Sequence, residues 1–190
     1  VELRIPLHYA VIGNKLPAAL KLLPVTKEVS QKDRKGLNIL MMAAINNCIE
    51  IIPHLVNYKV ELNERDRFGK SALHYAAIRD HAQITLLLIS MGCEIDIVEG
   101  RVDKPAKSTG KTALHLAATN KKVQTLLALL SSGASVTQKS RSGWDFYDYA
   151  AQANDSLVNS IILNSIALQD SARQAELLFA VSRSDNLSLL

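Results

Sequence analysis

The chain has 190 residues, 48% of them hydrophobic and 21% charged, with eight glycines and five prolines. That composition can bury a core without disulfide or metal staples, and it excludes a disordered, collagen-like or low-complexity chain. Twenty-two basic against 18 acidic residues leave a net charge of +4, too small by itself to announce a nucleic-acid or membrane-surface protein.

In chain order, the first apolar element is Leu7-His8-Tyr9-Ala10, and its pattern returns as Leu40-Met41-Met42-Ala43, Leu73-His74-Tyr75-Ala76, Leu114-His115-Leu116-Ala117 and Tyr147-Asp148-Tyr149-Ala150. With His8, Met41, His74, His115 and Asp148 in one register, the intervals are 33, 33, 41 and 33 residues. A 33-residue unit therefore repeats, with one insertion of eight residues. Gly36, Gly69, Gly110 and Gly143 keep the same intervals. The runs Gly69-Lys-Ser-Ala-Leu-His-Tyr-Ala-Ala77 and Gly110-Lys-Thr-Ala-Leu-His-Leu-Ala-Ala118 resemble the ankyrin repeat, Gly-x-Thr-Pro-Leu-His-x-Ala-Ala. The resemblance implies an all-α solenoid of helix-turn-helix units with short β-hairpin fingers. It covers residues 1–168, as units of about 1–33 (partial), 34–66, 67–98, an insertion at 99–106, then 107–139 and 140–168. Residues 169–190 read as a degenerate further repeat or a C-terminal capping helix, and helices are expected at 156–168 and 170–181.

Each matched residue also has a local reason. Ser71 and Thr112 precede helical patterns, where a hydroxyl can accept the orphan amides of a first turn. The pairs Ala76-Ala77 and Ala117-Ala118 are small where helices must approach closely. Asn14, Asn47, Asp80 and Asn154 stand where each first helix must end in left-handed backbone, which Asn and Asp tolerate. In the second helix of the fourth unit Val123, Leu126, Leu127 and Leu130 fall at i, i+3, i+4 and i+7, and are expected to form one buried stripe. Gly92 and Gly133 suit left-handed C-terminal caps. Lys59 and Thr26 replace that glycine earlier in the chain, so those caps are expected to be strained or reshaped.

The residues that suggest chemistry are explained better by the repeat. His8, His74 and His115 recur in register, and in ankyrin arrays this histidine bonds to neighbouring backbone. His54 and His81 have no ligand-spaced partner. Cys48 and Cys93 lack a CxxC partner, so neither a disulfide framework nor a zinc knuckle is expected, and a reducing cytoplasmic setting fits. Pro105-Ala-Lys-Ser-Thr-Gly-Lys-Thr112 imitates a phosphate-binding loop, but its first glycine is replaced by Pro105, which has no amide hydrogen. Gly69-Lys70-Ser71 repeats the same tripeptide one unit earlier. No catalytic constellation stands out, no cofactor or metal is expected, and no apolar run approaches the roughly 20 residues that span a bilayer.

Ankyrin arrays usually meet partners through the fingers and the exposed face of the first helices. Twenty such positions can be read in the four units with a finger. Seven are basic and none acidic, where the chain average would place two to three basic residues. From these positions Arg34, Lys35, Leu37, Arg67, Phe68, Lys70, Arg79, Lys111, Arg141 and Trp144 are the expected partner-binding residues. Arg34, Arg67 and Arg141 should form a basic stripe, with Phe68, Trp144 and Leu37 supplying apolar contact. The expectation is a monomeric, non-enzymatic module that binds an acidic or acidic-apolar protein segment, with nucleic acid disfavoured. The alternative is the substrate-recruiting portion of a longer enzyme or of a secreted bacterial effector.

Overall fold

A computed structural model describes residues 4–100 and 109–166. The first helices are α1 (Pro6–Ile12), α3 (Ile39–Ile45), α5 (Ala72–Arg79), α7 (Ala113–Thr119) and α9 (Phe146–Ala153). The second helices are α2 (Leu16–Leu22), α4 (Ile52–Asn57), α6 (Ala82–Ser90), α8 (Val123–Ser131) and α10 (Ser156–Ile166). A 3-10 turn, Leu23–Val25, follows α2, and another, Ile49–Ile51, precedes α4. The first helices stack in one layer, α1 on α3, α5, α7 and α9 in turn, while α6, α8 and α10 stack in the second. The helix expected at 170–181 and the segment 169–190 lie outside the described residues.

Alanines make the first layer possible. Ala43, Ala44, Ala76, Ala77, Ala117, Ala118 and Ala150 are fully buried, so neighbouring helices meet across small side chains. Each first helix then turns through left-handed backbone, at Asn14 (φ 49°), Asn47 (57°), Asp80 (63°), Lys121 (56°) and Asn154 (46°). The two unusual second-helix caps differ. Lys59 keeps the left-handed turn without a glycine, at φ 57°, whereas Thr26 abandons it for extended backbone, at φ −82° and ψ 115°.

One expectation fails in the second layer. Leu127 is 46% exposed, and the buried side of α8 consists of Thr125, Leu126, Ala128 and Leu129. Helices α6 and α10 flank α8 while α7 lies beneath it, so burial comes from three directions and turns the apolar face away from Leu127. Leu86 takes the same outward position on α6 and is equally exposed.

The first, second and fourth fingers are turns, each closed by a pair of backbone bonds: the inner one runs from the glycine amide to the carbonyl of Asp33, Asp66 or Ser140, and the outer one starts from the amide of that same residue. Asp33 N–H donates to the Leu37 carbonyl at 2.9 Å, Asp66 to Lys70 at 3.0 Å and Ser140 to Trp144 at 2.8 Å. No regular strand occurs among the described residues, because each arm is too short to build a ladder. In the third finger Glu99 takes the place of Asp33 and Asp66 and donates its N–H to the Lys111 carbonyl at 2.8 Å. The eight extra residues thus enter between the two arms of that finger.

Candidate functional site

The register histidines brace the starts of their own helices, and His74 also reaches the next unit. The Ser71 amide donates to His74 Nδ1 at 3.1 Å. That nitrogen must therefore be unprotonated, and Nε2–H donates to the Lys111 carbonyl of the next unit at 3.2 Å. The Thr112 amide donates likewise to His115 Nδ1 at 3.1 Å, and the Ile5 amide to His8 Nδ1 at 3.3 Å. Asp148 does the same work with a carboxylate, accepting the Asp145 amide at 3.0 Å. Burial makes an imidazolium costly, so the pKa of His74 falls to about 4 against the opposing pull of the Lys111 carbonyl, and burial lowers His115 to about 4 as well.

Other polar groups tie the units in the same way. His81 Nδ1 lies 2.8 Å from the Ala44 carbonyl, and the Cys48 thiol, in the corresponding position one unit earlier, donates to the Val11 carbonyl at 3.0 Å. Both cysteines are buried and unpaired, and burial raises both thiol pKa values, that of Cys93 to about 11. Neither is a reactive thiolate. Among the described residues no three His, Cys, Asp or Glu side chains gather in metal-binding geometry, and no helix is long and apolar enough to cross a membrane.

The finger edge offers contact chemistry. In the first finger Asp33 Oδ1 accepts the amides of Lys35 and Leu37, at 2.8 and 3.0 Å. In the second, Asp66 Oδ1 accepts those of Phe68 and Lys70, both at 2.8 Å. Tyr75 donates its hydroxyl to Asp66 Oδ2 at 2.5 Å and so binds the second finger to α5. The Arg67 amide donates to the Lys35 carbonyl at 3.2 Å, and Arg141 bonds to the Thr109 carbonyl at 2.9 Å. Successive tips are thereby clamped side by side. Gly69 has left-handed backbone (φ +78°), and a Cβ there would meet the Gly100 backbone at 2.0 Å, so only glycine lets the elongated third finger lie against the second.

The ten expected contact residues fall into three groups. Arg34, Lys35, Arg67, Phe68, Arg79, Arg141 and Trp144 are exposed, Phe68 by 50% and Trp144 by 37%. Lys70 and Lys111 are half-buried and already engaged. Lys70 Nζ lies 2.5 Å from the buried Glu99 carboxylate, which also accepts the Thr109 hydroxyl, and Lys111 Nζ sits 4.4 Å from the centroid of the Tyr149 ring. Leu37 is 8% exposed and belongs to the core. Its expected contact role is therefore corrected, because the turn that presents Arg34 and Lys35 folds the next apolar residue inward.

The stripe keeps three exposed arginines, and one aromatic anchor rests on a built support. Trp144 packs against Tyr149 with the rings tilted by 59° and their centroids 5.3 Å apart, and Tyr149 is held in turn by donating its hydroxyl to the Ser140 hydroxyl at 2.9 Å. Sequence reasoning missed Glu99 as a finger base and Tyr149 as a platform. The 33-residue spacing from Asp66 could have found the first, and the spacing from Tyr75 the second.

Comparison with known families agrees with this geometry. A profile describing ankyrin repeats in three copies matches residues 7–99, and an ankyrin-repeat profile matches residues 109–141. No curated protein matches the chain.

Proposed function

The chain belongs to the ankyrin-repeat family, whose repeats are typically non-catalytic protein-interaction modules, and from that premise we propose that it binds an acidic or acidic-apolar protein segment along the finger edge and the adjoining first-helix face. The observation that carries this reading is the row of exposed cations Arg34, Lys35, Arg67, Arg79 and Arg141. The salt bridges found among the described residues, Arg4–Asp33, Lys32–Glu64 and Lys70–Glu99, leave all five out. Exposed charge of one sign steers association and rejects partners of like charge. Phe68 and Trp144 supply aromatic area on the same edge. Two aromatics do not make the stacking platform that single-stranded nucleic acid requires, which favours protein as the occupant. The module is proposed to act as a monomer without cofactor or enzymatic activity of its own, in a reducing cytoplasmic compartment, in keeping with two buried unpaired cysteines.

The test is affinity capture with the wild-type chain beside the Arg34→Glu/Arg67→Glu/Arg141→Glu variant, at low and high salt. Proteins retained by the wild type, lost by the folded variant and released by salt should carry acidic segments. Equal retention by both chains at both salt concentrations would overturn the reading.

A further inference from the structure

Ile12, Ile45 and Ile78 hold one register, at or next to the last position of α1, α3 and α5; all three are half-buried, and Ile12 and Ile45 also pack partly against the core. In α5, Ile78 shares the side of Tyr75 and of His74, which is buried beneath the fingers, and lies opposite the buried Leu73, Ala76 and Ala77. It therefore faces away from the second-helix layer. The apolar ladder stops there. The next rungs are Thr119, whose hydroxyl donates to the His115 carbonyl at 2.7 Å, and the exposed Gln152. The fingers that belong to α3 and α5 carry Arg34, Lys35 and Arg67, and Arg79 directly follows Ile78; all four are exposed. Apolar rungs and exposed cations thus coincide in the units of α3 and α5, with Ile12 extending the apolar row by one unit.

Resting on the reading of this face as a site for an acidic protein segment, we propose that the bound segment is extended, with an apolar residue at every third position and carboxylates between. Stacked helices stand about 8–10 Å apart. A polyproline-type chain has three residues per turn and rises ~3.1 Å per residue, so i, i+3 and i+6 share one side at a spacing of ~9.3 Å. That spacing matches successive isoleucine rungs and turns another side of the chain toward the finger cations. An α-helix offers i and i+7 at ~10.5 Å, and its stripe drifts by ~20° per heptad, so it falls out of step over three rungs.

The probe is a fluorescent peptide of three Glu-Glu-Leu triplets. Its control has the same composition with the leucines contiguous. Anisotropy titration of the whole chain is expected to show saturable binding of the triplet peptide, about tenfold tighter than the control. This comparison needs no variant. Ile45→Ser and Ile78→Ser, each checked for folding by thermal melting, should lose the preference, while Leu127→Ser on the outer helix layer should retain it. Equal binding of both peptides, abolished by Arg34→Glu/Arg67→Glu, would overturn the three-residue period and leave the acidic-partner reading standing. Binding of neither peptide at low salt, or tighter binding of a single-stranded oligonucleotide of equal length, would overturn both.

Discussion

The first two fingers and the last one share a turn but present different chemistry. At the first two tips Arg34, Lys35 and Arg67 reach solvent, while the apolar neighbour Leu37 folds into the core. The last finger keeps one exposed arginine, Arg141, and stands Trp144 on Tyr149, beneath which Lys111 is drawn onto the ring face. One end of the edge offers long-range charge, and the other offers a supported aromatic surface. Equivalent positions in a solenoid need not be equivalent in function, because the neighbouring unit decides whether a cation is available.

Acid should erase the distinction altogether by removing the fold that both ends share. His74 and His115 have folded pKa values of about 4 against 6.5 for an unperturbed histidine. Between these values the unfolded chain binds protons that the folded chain refuses, so stability is lost as pH falls from about 6.5 toward 4. Urea midpoints measured across this range should decrease steadily, and a flat profile would show that the imidazoles are not the buried neutral braces described.

Ala76→Leu should come next, costing about 1–3 kcal/mol by overpacking the α5 contacts that join the two ends. A thermal melt decides it, and an unchanged midpoint would displace Ala76 from the close helix contact.

With a partner in hand, Trp144→Ala should cost roughly 1–2 kcal/mol of affinity, less than a fully enclosed hot spot because the ring is part exposed. The loss should lie in the dissociation rate and vary little with salt. The Arg34→Glu/Arg67→Glu/Arg141→Glu variant should differ in kind. Its association rate should fall about tenfold at low salt and recover at high salt, since exposed charges are screened within about 8–10 Å. Surface-based kinetics at two ionic strengths would separate the charge contribution from the aromatic one, and salt-independent loss in the arginine variant would merge them.

The smallest effect is expected at Lys111→Ala, about 0.5–1 kcal/mol from the lost contact with Tyr149. Mg-ATP should not shift the melting temperature of either chain. A rise of several degrees that requires Lys111 would instead make Gly110-Lys111-Thr112 a phosphate-binding site.

The architecture was legible because a solenoid writes its contacts at a fixed sequence interval. Alternating short helices, the small residues at Ala76 and Ala117, the cap at Thr112, and the left-handed turns at Asn14, Asn47, Asp80 and Asn154 all follow from local backbone chemistry and the 33-residue spacing, whereas Lys121 takes the same turn without a residue type that favours it. Lys59 and Thr26 show the limit even there: one lost glycine gives strained left-handed backbone, the other an extended exit, although both positions predict only an imperfect cap. Burial and charge pairing depend on side chains from other units, which periodicity does not reveal. The sequence therefore determined which residues occupy the finger edge. Only tertiary packing decided that Leu37 turns inward, that Leu127 turns outward, that Glu99 takes up Lys70 and that Tyr149 supports Trp144, because each outcome depends on atoms brought together from distant parts of the chain.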